Sequence, residues 1–303
     1  MPPYLGASDI RATPPYAFVA AVDPLGGPAR RRVLRVARTE KGSIGGGSRV
    51  GHAFQIALVL FALFWLTVGF GVIDLISGFT PPYTSDGTNV LSSAYGAIAA
   101  VVLPLALFAQ LRARETSVAA LQVIAAVALS FALAGVLALD PPSFISVATL
   151  VAMLAVLLWL HPSRPRLLQF DRPLNSPLTG LTAIAAVPWG VYALEMAANG
   201  RSELPPAAAG DRPQAGGWAG ATALAVCVVL LGLLASTRTP CWRVPAWSAS
   251  LATLTFGVAS MVNPVAPGSA GPVWGTVALA WSAVFLITGY WSWRRASPIP
   301  DRR

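Results

Sequence analysis

The sequence predicts an all-α, polytopic integral membrane protein, a bundle of about eight transmembrane helices. Three observations lead there. Of 303 residues, 55% are hydrophobic and only 11% charged, far from the balance of a water-soluble surface. Apolar stretches near the ~20 residues that cross a bilayer as a helix recur between polar connections. The basic residues gather in alternate connections, the pattern that sets orientation in a membrane.

Residues 1–50 contain no spanning segment and are expected to form a basic, largely disordered cytoplasmic tail. Within it Arg30, Arg31, Arg32, Arg35 and Arg38 stand beside Val33, Leu34 and Val36. This run reads first as a determinant of topology and second as a contact with anionic lipid at the cytoplasmic face. It resembles a twin-arginine export signal, but no apolar segment follows until about residue 53, and that one is too long for a signal core.

Residues 51–293 form the transmembrane domain, with apolar segments at 53–78, 93–111, 116–139, 145–160, 179–198, 218–235, 246–262 and 272–292. Residues 294–303 are a short basic cytoplasmic tail. With both termini in the cytoplasm of a cell (plasma) membrane, all of the 21 basic residues except Arg201 and Arg212 fall on the inner side. Tryptophans agree with that placement: Trp218 and Trp274 mark outer ends, and Trp159, Trp242, Trp247, Trp291 and Trp293 inner ends. Lys41 is the single lysine and alanine abounds, which fits a GC-rich bacterial genome.

The formal charge of +9 does not point to nucleic acid, because the arginines sit between apolar segments and not in a stripe with stacking aromatics. Cys227 and Cys241 are expected to stay reduced. His52 and His161 lie at membrane boundaries with no second ligand at metal-binding spacing, so no metal and no cofactor is expected. No metalloprotease, serine-hydrolase or nucleotide-binding signature occurs.

Candidate chemistry therefore rests on a few polar residues inside apolar segments, where a carboxylate is costly and worth pursuing. Glu195 in the fifth segment and Asp74 in the first lie at similar depth near the outer ends. Tyr192, Glu195 and Asn199 share one helical face with Pro188. Together with Asp74 they make a candidate polar or ion site, with Asn263 as a further neutral ligand. The bland alternative is that both carboxylates are simply solvated at the headgroups. Pro104 and Pro188 are candidate helix breaks, each leaving a carbonyl one turn earlier, at Ala100 and Ile184, without its donor. In the seventh segment Ala249, Thr253, Gly257 and Ser260 form a small-residue face, which predicts a central helix.

The missing signatures and the basic tail favour a non-catalytic membrane component that assembles with or anchors other proteins, with the bilayer and a membrane-protein partner as its contacts. A small-solute or ion carrier using Glu195 and Asp74 at the outer mouth is the alternative. An outer-leaflet lipid-modifying enzyme is the third reading, weakened by short outer loops with only Arg201 and Arg212 to hold an anionic headgroup.

Overall fold

The computed structural model describes residues 47–80, 88–112, 118–161, 174–202, 215–237 and 241–296. The arginine run Arg30, Arg31, Arg32, Arg35 and Arg38 lies outside the described residues, as do the last seven positions. The described elements are α1 (Gly47–Leu66), α2 (Gly71–Ser77), α3 (Asn89–Gly96), a π-helical turn (Ala97–Val102) and α4 (Leu103–Arg112). They continue as α5 (Val118–Ala138), α6 (Ser143–Leu160), α7 (Ser176–Ser202), α8 (Ala215–Ser236), α9 (Arg243–Val262) and α10 (Gly271–Ala296). No strand occurs among the described residues.

Seven stretches among them are long and apolar enough to cross a membrane: Gly51–Ser77, Asn89–Arg112, Val118–Ala138, Ser143–Leu160, Ser176–Ser202, Gly217–Ser236 and Gly271–Ser292. The fold is an all-α polytopic bundle. The remaining helix, α9, has 20 residues but carries Ser248, Ser250, Thr253, Thr255 and Ser260, which hold it below the apolarity of the others.

Burial sorts the helices into an inner and an outer set. α8 packs on α3, α5, α7 and α9; α9 packs on α3, the π turn, α4, α5, α8 and α10. Both are therefore central, and Trp218, Leu224, Cys227, Val228 and Leu231 of α8 are buried. The face of α9 marked by Ala249, Thr253, Gly257 and Ser260 is buried throughout. At Gly257 and Gly275 the α9 and α10 backbones touch, since a methyl on either would lie 2.9 Å from the other's carbonyl oxygen. The outer helices α1, α6, α7 and α10 expose Leu60, Ile145, Trp159, Ile184, Val187 and Ile287. Aliphatic surface on that scale needs a lipid surround.

Two backbone irregularities depart from eight uninterrupted segments. The first apolar segment is broken between Leu66 and Gly71. Its sequence there, Thr67-Val68-Gly69-Phe70-Gly71, combines β-branched residues and glycines, the poorest apolar company for a helix. Gly69 N–H donates to the Phe64 carbonyl at 2.8 Å, five residues back, and Phe70 takes a left-handed conformation at φ 54°. The second irregularity is the π turn. Pro104 has no amide proton and its ring crowds the carbonyl a turn earlier. The turn before it is widened, and Leu103 N–H donates to Ile98, five residues back. By contrast, α7 runs unbroken from Ser176 to Ser202 with Pro188 inside it, and that proline faces outward.

Candidate functional site

The two irregularities meet. Gly71, Asp74 and Gly78 are spaced along one face of α2 and its end, and this face docks on α3 and the π turn. A methyl on Gly71 would lie 2.5 Å from the Trp65 carbonyl oxygen and 3.0 Å from the Ala99 carbonyl carbon and the Ala100 nitrogen. One on Gly96 would lie 2.7 Å from the Asp74 carbonyl carbon and 2.6 Å from the Leu75 Cα. One on Gly78 would collide with Ser93. Gly71 and Gly96 thus permit a backbone-to-backbone approach that any side chain forbids, and Gly78 makes room for the Ser93 side chain.

Asp74 is carried over α3 by this docking. It is half-buried, and no basic group among the described residues acts on it. It lies close enough to Tyr95 for its charge to act on the phenol, which also hydrogen-bonds Ser146 of α6. The Tyr95 ring meets Phe131 of α5 edge-on at 5.9 Å.

Two main-chain carbonyls in these two interruptions, those of Trp65 and Ala99, lack their helical donors. The Trp65 carbonyl would ordinarily accept from Gly69, but that amide is turned to Phe64, and the Phe70 amide goes to Thr67 at 3.0 Å. The Ala99 carbonyl would accept from Leu103 in an α-helix or from residue 104 in a π-helix. Leu103 donates to Ile98, and Pro104 has nothing to donate. The π turn therefore adds Ala99 to the carbonyl at Ala100 that Pro104 already deprives of its α-helical donor.

A network of side-chain bonds holds the far end of α2. Asn263 Nδ2 donates to the Gly78 carbonyl at 2.9 Å, Ser77 Oγ donates to the Asn89 carbonyl at 3.3 Å, and Asn89 Nδ2 donates to the Thr80 carbonyl at 3.2 Å. From the same loop as Asn263, the Gly268 carbonyl accepts from Tyr192 of α7 at 2.6 Å. Gly268 sits at φ 79° with Leu91 of α3 against its Cα, which leaves no room for a side chain.

The remaining sequence candidates fall elsewhere. Glu195 is exposed on α7, one turn from the buried Tyr192, and Asn199 is half-buried with its carbonyl accepting from Ser202 Oγ at 2.8 Å. The main packing of α2 is on α1, α3 and the π turn, that of α7 on α5, α8 and α10. Asp74 and Glu195 thus stand on helices that do not pack on each other, and the loop that holds Asn263 and Gly268 bonds to both. Asn263 serves that loop as a donor to backbone. Tyr192 packs with Trp189 and Phe256, ring centroids 5.1 to 5.9 Å apart.

Several buried hydroxyls bond within their own helices, while Ser282 Oγ of α10 donates across to the Ser250 carbonyl of α9 at 2.8 Å. Ser130, Thr182, Thr222 and Ser236 each donate to the carbonyl four residues back at 2.8 to 2.9 Å. Ser248, Ser250 and Thr253 of α9 are buried without a side-chain partner among the described residues.

At the opposite end of the bundle the buried His161 meets Phe54 edge-on at 5.3 Å, and burial pushes its pKa below the ordinary imidazole value. No group of three His, Cys, Asp or Glu able to hold a metal occurs among the described residues.

Sequence reasoning did not find Tyr95, the docking glycines Gly71 and Gly96, or the carbonyls of Trp65 and Ala99. The available signal was the Gly69-Phe70-Gly71 triplet inside an apolar segment. The polar groups of this region are the Asp74 carboxylate, the Tyr95 phenol and main-chain carbonyls. No protein-family model, no curated protein and no solved structure matches the chain.

Proposed function

We propose that the protein is a small-solute or ion carrier that works through its interrupted first span, with Asp74 as the charged residue. One observation carries this reading: two helix interruptions face each other at Gly71, inside two spans, one turn from a half-buried carboxylate. Carbonyls without donors are expensive in lipid and persist where protein or a solute covers them. Broken spans that turn such carbonyls on a coupling ion are a recurrent device of secondary transporters.

The reading as a non-catalytic assembly or anchoring component draws on a different observation. At Gly257 and Gly275 the α9 and α10 backbones are in direct contact, the close packing that a purely structural bundle uses. A lipid-modifying enzyme is less favoured, because its acids would have to converge and Asp74 and Glu195 sit on helices that pack elsewhere. Under the carrier reading the protein resides in the plasma membrane with both termini in the cytoplasm and Arg30 to Arg38 on anionic lipid.

Electrical recording on proteoliposomes tests the choice. Sodium and pH jumps are expected to give currents in wild type and in Glu195→Gln but not in Asp74→Asn. No current above that of empty liposomes, in any condition, sinks the carrier and leaves the assembly component.

A further inference from the structure

We propose that the groove between α1 and α4 is a binding site for one anionic phospholipid of the leaflet at the basic end of the bundle. The groove is lined by Gln55, Ile56, Val59 and Leu60 of α1 and by Leu111 of α4, and holds about 470 Å³. α1 packs on α4 and α6 through a buried stripe that includes Phe54 and Leu58, and it leaves Ile56, Val59 and Leu60 exposed beside that stripe. The site uses neither the carrier reading nor the Arg30 to Arg38 run.

Charge selects the head of the occupant. Arg112 ends α4 directly after the lining residue Leu111, so the two Cα atoms are about 3.8 Å apart. It is exposed and forms no ion pair with a described residue. Arg243 opens α9 and Arg294 lies in the last turn of α10; because successive spans alternate in direction, both stand at this same end. A phosphate here meets positive charge, whereas a neutral head gains nothing from it.

Polarity along the groove selects the rest. The first span starts at Gly51, and Gln55 lies about 6 Å along the helix from there. Gln55 is exposed, and its amide bonds to no described residue, a costly state beside hydrocarbon. The ester carbonyls of a glycerophospholipid, just beneath its phosphate, accept from such an amide. Ile56, Val59 and Leu60 then carry the lining to about 14 Å from Gly51, close to half of the ~30 Å hydrocarbon core. Charge, amide and aliphatic surface in that order, over the depth of one leaflet, match one lipid. A partner helix would call for an apolar face along a whole span, and the lining stops at Leu60.

Native mass spectrometry of the full chain tests the site, with protein purified in mild detergent and titrated with phosphatidylglycerol or phosphatidylcholine of the same acyl chains. Wild type is expected to retain one phosphatidylglycerol per chain at concentrations where phosphatidylcholine is not retained. Arg112→Gln is expected to weaken phosphatidylglycerol about fivefold, the share of one basic residue near a membrane surface. Val59→Trp fills the groove from an exposed position and is expected to remove the retained lipid. Val187→Trp, on the exposed face of α7, is expected to keep it. Melting temperatures of the lipid-free variants separate lost binding from lost folding, and Arg112→Gln answers the question if Val59→Trp does not fold. Equal retention of the two lipids overturns the proposal, as does a phosphatidylglycerol that stays equally tight in Arg112→Gln and Val59→Trp. A wild-type dimer that Val59→Trp dissociates also overturns it, in favour of a second copy of the chain in the groove.

Discussion

Asn263, at the end of α9, donates its side-chain amide to the carbonyl of Gly78, 185 residues away in sequence, at 2.9 Å. That bond ties the broken half of the first span to the loop before α10. The same loop is fastened to α7 by Tyr192 through Gly268. Asn263 is buried, so Asn263→Ala leaves a main-chain carbonyl without its partner and is expected to lower stability by about 1–3 kcal/mol. Tyr192→Phe, which keeps the ring packing, is expected to cost about 1 kcal/mol. Because both bonds hold one loop, a double-mutant cycle by denaturant or thermal unfolding should give a non-additive sum; independent effects would mean the loop does not act as a unit.

Glycines separate by what surrounds them. Gly96→Ala places a methyl among the backbone atoms of Asp74 and Leu75, where nothing flexible can move aside. It is expected to cost several kcal/mol by strain of the kind overpacking produces, or about 1–3 kcal/mol if α2 shifts as a body. Gly190→Ala meets nothing within 4 Å inside α7, and should stabilise by about 0.5–1 kcal/mol through helix propensity. Melting temperatures of the two variants, moving in opposite directions, check the docking geometry.

His161 gives a pH signature. Burial lowers its pKa in the folded protein, so the unfolded chain binds the proton more readily. Its contribution to stability is then complete above the unfolded value near 6.5 and is lost as pH falls below it, down to the folded value. Wild-type stability should decline across that window, and His161→Gln should flatten the decline. An unchanged slope in the variant would show that His161 is not the group responsible.

Cys227 is buried in the centre and Cys241 is exposed. A maleimide is expected to modify one thiol per native chain and both after unfolding. In intact cells an impermeant maleimide should leave Cys241 unlabelled until the membrane is opened, because the proposed orientation puts that turn inside. Labelling of intact cells would reverse the orientation.

Glu195→Gln removes an exposed charge with no bonded partner described around it, and should change stability by less than about 0.5 kcal/mol. A larger loss would give α7 a role that its exposure does not suggest.

The helical class was legible because the bilayer imposes one length and one polarity on every span, and both are written in composition. Helix order followed with it. The central place of α9 was legible from Ala249, Thr253, Gly257 and Ser260, since small residues at helical spacing mark close approach. The site was half legible. Asp74 was singled out for its cost, but the sequence paired it with Glu195 by depth alone, and depth says nothing about which helices are neighbours. Tyr95 looks like any aromatic in an apolar run until α2 is seen to lie on Gly96. The orphan carbonyls were read from Pro104 and Pro188 by the same rule, yet one proline widened its turn and the other sat in an unbroken helix. Proline states what a helix loses, and the neighbours decide how the chain absorbs it.

The π turn has a consequence for the frame in which the second span is read. It holds one residue more than an α-helix of its height would need. Each residue advances a helix by about 100°, so α4 is turned by that much from the face that α3 would project. With this offset in place Leu103, Leu107 and Gln110 are buried. A chain lacking one residue between Ala97 and Val102 could close the turn to an α-helix of the same height and keep those three on the buried face, whereas the same deletion in a regular stretch of the span would turn its two ends against each other by about 100°. For this span, the place of a deletion matters more than which aliphatic is lost.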